Sequence, residues 1–239
     1  MSLMKIPLLV AVGVAQRSML TPPHPSLPTS EFSSTTTFDS VITRYRAIPL
    51  TIAKFGQYYL STVEIATILA NSTLDRELSK FVLSECVFKG GNPQNMHTSL
   101  IAVFGIVLFI TGAILRASTY RHLGRFFRYE ICIQKDHQLI KTGPYALVRH
   151  PSYSGLLVST MGWFLWTFST GSWVQQSGML NTRFGKIHLA AYVLIGTSPP
   201  LLVTLPRMRN EDEALKQKFG KEWEAWAAET PYSIIPGLH

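Results

Sequence analysis

Cysteine is nearly absent from this chain. Cys86 and Cys132 stand far apart and share no metal-ligand spacing. No metal site is expected from them, and they could form one disulfide but no disulfide framework. Charge is scarce as well: 15% of residues are charged, against ~25% in an ordinary soluble domain. No G-x-G-x-x-G follows a strand, and neither a P-loop nor H-E-x-x-H occurs, so a soluble nucleotide-binding fold is unsupported.

What is present in quantity is apolar side chain. The 239 residues are 46% hydrophobic, with a mean hydropathy of +0.16. That balance fits an integral membrane protein with polar connections, and the length fits one membrane domain. A net charge of +8 could point to nucleic acid. The basic residues instead flank apolar runs, which is the positive-inside pattern, so no nucleic-acid partner is expected.

The apolar runs predict an all-α fold with about five transmembrane helices. The first, from residue 3 to Met19 or Leu20, has Pro7 near its start, where proline is tolerated. It reads as a retained membrane helix in preference to a signal peptide, having no clean small-residue cleavage site. Residues 21–38 are rich in proline, serine and threonine and read as an extended linker. The second run, 49–70, carries Lys54 and Glu64; ionisable residues inside a span are functional candidates, although Lys54 can snorkel and Glu64 can face the bundle. Residues 74–88 place Leu74, Leu78, Phe81, Val82 and Phe88 at roughly helical spacing and predict an interfacial helix.

Residues 98–115 are the clearest span, with Gly105 and Gly112 spaced for a close helix contact. A basic connection follows, containing Arg116, Arg121, Arg125, Arg128, Lys135, Lys141 and Arg149, and charge bias puts it in the cytosol. Within it, 129–140 reads as two short extended pieces around Lys135 and Asp136, with room for a small hairpin. The fourth and fifth spans are 154–174 and 187–205, the last broken by Pro199-Pro200, with Gly178 to Lys186 as a short connection between them. This hairpin returns the chain to the side it left, so 116–152 and 207–239 share one face; Arg44 and Arg46 agree with that orientation. In the tail, Asp212 and Glu213 suit the first turn of a helix. Leu215, Phe219, Trp223 and Trp226 form the apolar stripe of one amphipathic helix that Pro231 ends.

Two stretches carry chemistry. Lys141 to Gly155, K-T-G-P-Y-A-L-V-R-H-P-S-Y-S-G, combines two prolines and two glycines with Tyr145, Arg149, His150 and Tyr153, and it abuts an apolar run. On composition alone this is a rigid loop capping a span, with Arg149 and the tyrosines as interfacial anchors. In the tail, Arg207/Glu211 and Arg209/Glu213 each share a helix face. A surface pair of that kind is worth ~0.3–0.5 kcal/mol. Used separately, an arginine fork can hold a carboxylate or phosphate, and a glutamate an ammonium or ribose hydroxyl.

Together, G-P-Y-A-L-V-R-H-P-S-Y-S-G, a membrane hairpin and R-M-R-N-E-D-E-x5-F-G-K-E-W resemble the isoprenylcysteine carboxyl methyltransferases. These belong to a wider integral-membrane group that includes phospholipid methyltransferases. The resemblance covers about residues 98–238; the preceding residues fit only in being membrane helices. It divides the chain into N-terminal membrane segments and linker, 1–95, and a methyltransferase core, 96–239. It implies S-adenosylmethionine bound between the tail and the bundle, in a cytosolic site formed by the 116–153 connection and the C-terminal helix.

Carried over by position, His150, Pro151, Ser152 and Tyr153 resemble the cofactor-binding R-H-P-x-Y element, with Tyr145 the tyrosine before it. Gln134 and His137, Gln138, Leu139 and Ile140 resemble the extended segment lining the cofactor. Glu211 resembles the cofactor-contacting glutamate, and Arg207 the arginine orienting the substrate carboxylate.

The resemblance further implies methyl esterification of a prenylated C-terminal cysteine or a lipophilic analogue. It also implies a membrane-lipid environment and a multi-pass place in the endoplasmic reticulum membrane with the site facing the cytosol. The competing readings are a methyltransferase for a phospholipid amine or another lipophile, a membrane sterol reductase with a nicotinamide cofactor, and a non-catalytic scaffold. An amine acceptor would want a carboxylate or base near its nitrogen, so Arg207 favours the first reading. The E-D-E run disfavours a phosphate-rich ligand.

Overall fold

The computed structural model describes residues 2–21, 47–72, 75–128 and 136–237. Among them the chain is helical, with no strand. Most of the linker, Arg44, Arg46, Leu74, Cys132, Gln134 and the rest of the 129–135 piece lie outside the described residues.

The bundle is built from α1 (Lys5–Leu20), α2 (Ala47–Ser72), α4 (Leu100–Leu123) and α5 (Pro151–Thr167), with the shorter α3 (Arg76–Cys86) between α2 and α4. Leu100–Phe126 is the one helix among the described residues long and apolar enough to cross a membrane. Local signals set the ends. Asp75 caps α3 by accepting from the backbone N–H groups of Glu77 and Leu78 at 3.0 Å each. Ser99 caps α4 through the N–H of Ala102. Pro151 occupies the first position of α5, where its missing N–H costs nothing. The expected helix over 74–88 is therefore α3, and it exposes Leu78 and Phe81.

The central packing is α4 against α5. The spacing of Gly105 to Gly112 on α4 recurs as Gly155 to Gly162 on α5, and the helices run antiparallel. A Cβ on Gly105 would stand 2.7 Å from the Gly162 carbonyl oxygen, and one on Gly112 would stand 2.5 Å from that of Gly155. Two glycine pairs thus bring the backbones together, and Ser159 Oγ donates to the Phe109 carbonyl between them at 3.1 Å. The close contact expected from Gly105 and Gly112 is present.

α1 is an integral layer of the bundle. Leu9, Val12 and Met19 are buried in the same core as Ile68, Ile106, Phe109 and Trp166. Lys5 of α1 and Glu64 of α2 form an ion pair with both side chains nearly inaccessible. Glu64 therefore faces the bundle, where a single uncompensated charge would be costly. At the other end of α1, Arg116 Nε and the Tyr120 hydroxyl both donate to the Met19 carbonyl, and Arg116 Nη1 donates to that of Ser152. One buried guanidinium therefore joins α1, α4 and α5.

The rest of the chain departs from the sequence expectation in three places. α6 (Arg183–Ala191) continues through a π-helical stretch, Tyr192–Thr197, into α7 (Ser198–Leu202). The interruption expected at Pro199-Pro200 falls instead at Val203, because the π stretch just before the prolines takes up the altered hydrogen-bond register. α8 (Thr204–Phe219) starts at Thr204, so Asp212 and Glu213 lie well inside a helix and not in its first turn. The apolar stripe expected on one helix is divided between α8 and α9 (Lys221–Glu229) by Gly220, whose φ of 52° and ψ of −121° suit glycine.

Candidate active site

The polar connection after α4 and the two tail helices meet at one end of the bundle. Arg149 organises the meeting. Its Nη1 donates to the carbonyls of Thr230 (3.1 Å) and Pro231 (2.6 Å), its Nη2 to Ser233 Oγ, and its Nε to Asp212 Oδ2 at 3.3 Å. The backbone N–H groups of Arg149 and His150 donate to the carbonyls of Tyr232 and Ser233, and Ser154 Oγ donates to that of Ile234. Trp226, buried on α9, donates its indole N–H to the Tyr145 carbonyl, and Lys141 pairs with Glu222 at 2.8 Å. Residues 230–234 are thereby fastened over the start of α5.

Beneath this latch the charged residues form one network. His150 is buried, with Nε2 3.0 Å from Asp212 Oδ1 and Nδ1 3.5 Å from Glu211 Oε2. Burial disfavours its charged form, but hydrogen bonds to the two carboxylates and their charges outweigh that and raise its pKa to about 9. Both ring nitrogens then carry protons. For Glu211, burial pushes the pKa up, but the His150 hydrogen bond and charge, Arg207 and Tyr153 together hold it below the usual value. The Tyr153 hydroxyl donates to Glu211 Oε1 at 2.5 Å and accepts from Arg207 Nε at 3.4 Å. The Arg207–Glu211 relation expected from their spacing is thus mediated by a tyrosine from another helix.

These groups line one cavity of about 680 Å³. His137, Gln138, Leu139, Ile140, Tyr145, His150, Ser152, Tyr153, Arg207 and Glu211 all border it. Pro151 is buried at the head of α5 and serves the backbone turn. His137 packs between the rings of Phe126 and Phe219, at 4.7 and 6.0 Å between centroids. Burial first, then the charge of Lys218, lower its pKa, so it is a neutral aromatic surface at pH 7. Away from this end the cavity runs between α2, α4 and α5 along Phe109, Leu156, Trp163 and Ile195.

Sequence reasoning missed Asp212 and the latching role of Arg149. Both stood in the motifs, but nothing in the spacing pairs an arginine at 149 with a carboxylate at 212. It also missed Arg128, whose Nε is buried at the cavity wall with no partner among the described residues. An unpartnered guanidinium N–H suits a carboxylate on a ligand.

The phospholipid methyltransferase family profile matches residues 100–180, from α4 through the first stretch of the site. Protein-S-isoprenylcysteine O-methyltransferase B of Arabidopsis thaliana is 30% identical over 154 residues, covering 64% of this chain and 66% of that protein. A probable protein-S-isoprenylcysteine O-methyltransferase of Oryza sativa subsp. indica is 30% identical over 137 residues, 56% of this chain and 61% of its own. A Delta(14)-sterol reductase of Mus musculus is 29% identical over 102 residues, which is 20% of its length. The chain spans somewhat under two thirds of the methyltransferases it matches.

Proposed function

We propose that this chain, which belongs to the isoprenylcysteine carboxyl methyltransferase family within the wider integral-membrane methyltransferase group, transfers a methyl group from S-adenosylmethionine to the C-terminal carboxylate of a prenylated cysteine. The observation that carries the reading is the single cavity. A charged end bearing Glu211, His150, Tyr153 and Arg207 opens directly into an apolar channel between helices. A soluble cofactor and a lipid-chain acceptor can meet in such a space.

The residues present fit the cofactor. Glu211 offers a carboxylate at the cavity wall to a cationic ligand, Arg128 has an N–H for its carboxylate, and neutral His137 with Phe126 offers an aromatic face for its base. When bound, S-adenosylmethionine supplies an electrophilic methyl on a sulfonium, which a carboxylate takes up as an ester, leaving a neutral thioether and releasing no proton.

The protein's own part is to position and to exclude water. Tyr145, His150, Pro151, Ser152 and Tyr153, with Gln134 and 137–140, hold the cofactor side. Arg207, buried and steered by Tyr153, orients the acceptor carboxylate. A carboxylate is already a nucleophile, so no general base is needed, and His150, protonated at both nitrogens, is unsuited to be one. Alignment of two bound reactants can supply several kcal/mol, on the order of 7 or more in favourable cases. About five membrane spans in the endoplasmic reticulum, with the site on the cytosolic side, complete this reading. So does a division into an N-terminal part, 1–95, that walls the lipid channel and a core, 96–239, that carries the chemistry.

The test separates the two ligands. In membranes, Glu211→Ala is expected to weaken S-adenosylmethionine binding at least tenfold. Arg207→Ala is expected to retain cofactor binding and lose turnover of a farnesylated cysteine analogue. Retained cofactor affinity in Glu211→Ala would overturn the site assignment.

A further inference from the structure

The apolar channel is not apolar to its end. Gln16 Oε1, Gln57 Oε1 and Trp163 Nε1 are buried there without a hydrogen-bond partner among the described residues, and all three residues border the cavity. Contacts through Ala53 and Tyr192 link Gln16 to Trp163. Gln16 Nε2 donates to the carbonyls of Ala53 and Lys54, and the Tyr192 hydroxyl donates to that of Ala53. Gln57 lies one turn along α2 from Ala53, with its Nε2 donating to Ser61 Oγ at 3.1 Å. The Trp163 and Tyr192 rings meet edge to face at 5.5 Å. The two carbonyl acceptors fix the Gln16 amide with its oxygen left over, and Gln57, held by a serine hydroxyl, leaves one polar atom of its amide over whichever way it is turned. Gln16 and Gln57 are each 2% exposed, and Trp163 4%.

Buried polar atoms are nearly always satisfied, and a binding site built to hydrogen-bond its ligand is a recognised reason for an exception. A hydrocarbon chain can satisfy none of the three. A hydroxyl can donate to a glutamine oxygen and accept from the indole N–H. The position is set by α5, on which Tyr153 belongs to the charged end and Trp163 to this cluster, about 15 Å farther along the helix at 1.5 Å per residue.

We propose that the Gln16–Gln57–Trp163 cluster is a hydroxyl-recognition subsite, and that the acceptor is a lipophilic carboxylic acid bearing a hydroxyl about 15 Å from its reacting end. The proposal rests on the methyl-transfer reading above and names the acceptor class within it.

The experiment uses the full chain in lipid nanodiscs and two labelled probes. One is S-geranylcysteine, whose extended length matches that spacing; the other is the same compound with a hydroxyl on the terminal carbon of the geranyl chain. Equilibrium binding is expected to favour the hydroxylated probe at least tenfold. Gln57→Leu and, independently, Trp163→Phe are each expected to shrink that preference severalfold, read as the ratio of the two probes' affinities in the same variant. The second variant removes the indole donor and keeps a smaller aromatic ring on a different helix, which guards against a folding defect in the first. Equal or better binding of the plain probe, or a preference unchanged in both variants, would overturn the subsite. Methyl transfer is read on the same samples. A hydroxyl preference without ester formation would leave the subsite standing and remove the reaction, and equal turnover and equal affinity for both probes would do the reverse.

Discussion

His150 Nε2 lies 3.0 Å from Asp212 Oδ1, across a sequence gap that joins the head of α5 to the middle of α8. The contact couples the fold to pH. With its pKa raised from 6.5 to about 9, His150 contributes stability that is complete below about pH 6.5 and lost as pH rises through about 9. A shift of that size corresponds to about 3 kcal/mol for a group so buried. Thermal unfolding in detergent from pH 6 to 10 should show the wild type losing stability over this window. Asp212→Asn should flatten the loss; parallel profiles for the two would contradict the pairing. Glu211 acts with the opposite sign: its lowered pKa gives stability that is complete above the ordinary carboxylate value and lost as pH falls through its own lower one.

Arg149 should not tolerate lysine. The planar fork reaches Thr230, Pro231, Ser233 and Asp212 at once, which an ammonium cannot match. Arg149→Lys is expected to raise amide hydrogen exchange in residues 230–234 by tenfold or more while leaving α4 unchanged. Unaltered exchange there would remove the latch.

Tyr153→Phe isolates one hydroxyl. It deletes the donor to Glu211 and the acceptor from Arg207 while keeping the ring. Turnover should fall on the order of 10- to 100-fold, in line with loss of one charge-assisted hydrogen bond of about 1.5–3 kcal/mol. The melting temperature should fall by a few degrees, since a buried hydrogen bond is lost while the ring's packing remains.

The glycine pairs make a graded prediction. Gly112→Ala would put a Cβ 2.4 Å from Ser159 Oγ and 2.5 Å from the Gly155 carbonyl oxygen. The helices would have to separate, at a cost of about 1–3 kcal/mol or more. Gly13→Ala meets only Tyr58 at 3.7 Å and should be neutral. Comparing the two melting temperatures checks this.

Breaking the Lys5–Glu64 pair from one side should cost about 3–5 kcal/mol, because the other charge is left buried. Lys5→Met combined with Glu64→Leu should recover most of that loss. A double variant as unstable as either single one would contradict the pairing.

Local signals made much of this legible in the sequence. The spacing of Gly105 and Gly112 gave the contact face of α4, and the matching interval at Gly155 and Gly162 was there to identify the partner. The R-H-P-S-Y stretch and Arg207/Glu211 were recognisable as candidates, and the structure sets them around one cavity. The relations between them were not recognisable, because Tyr153 inserting between Arg207 and Glu211 depends on how α5 meets α8. The stripe from Leu215 to Trp226 keeps a helical period across Gly220, so periodicity alone hid the break that lets Trp226 reach Tyr145. The partner of Glu64 was not legible, because Lys5 lies 59 residues away and only the packing of α1 on α2 joins them.

The product of methyl transfer tests the central claim most directly. Membranes containing this chain would be given methyl-labelled S-adenosylmethionine with a farnesylated cysteine analogue and, separately, with phosphatidylethanolamine. The account predicts label on the cysteine analogue, released as methanol by mild base, and absent in Arg207→Ala. Base-stable label on the lipid amine, with none on the cysteine carboxylate, would contradict it.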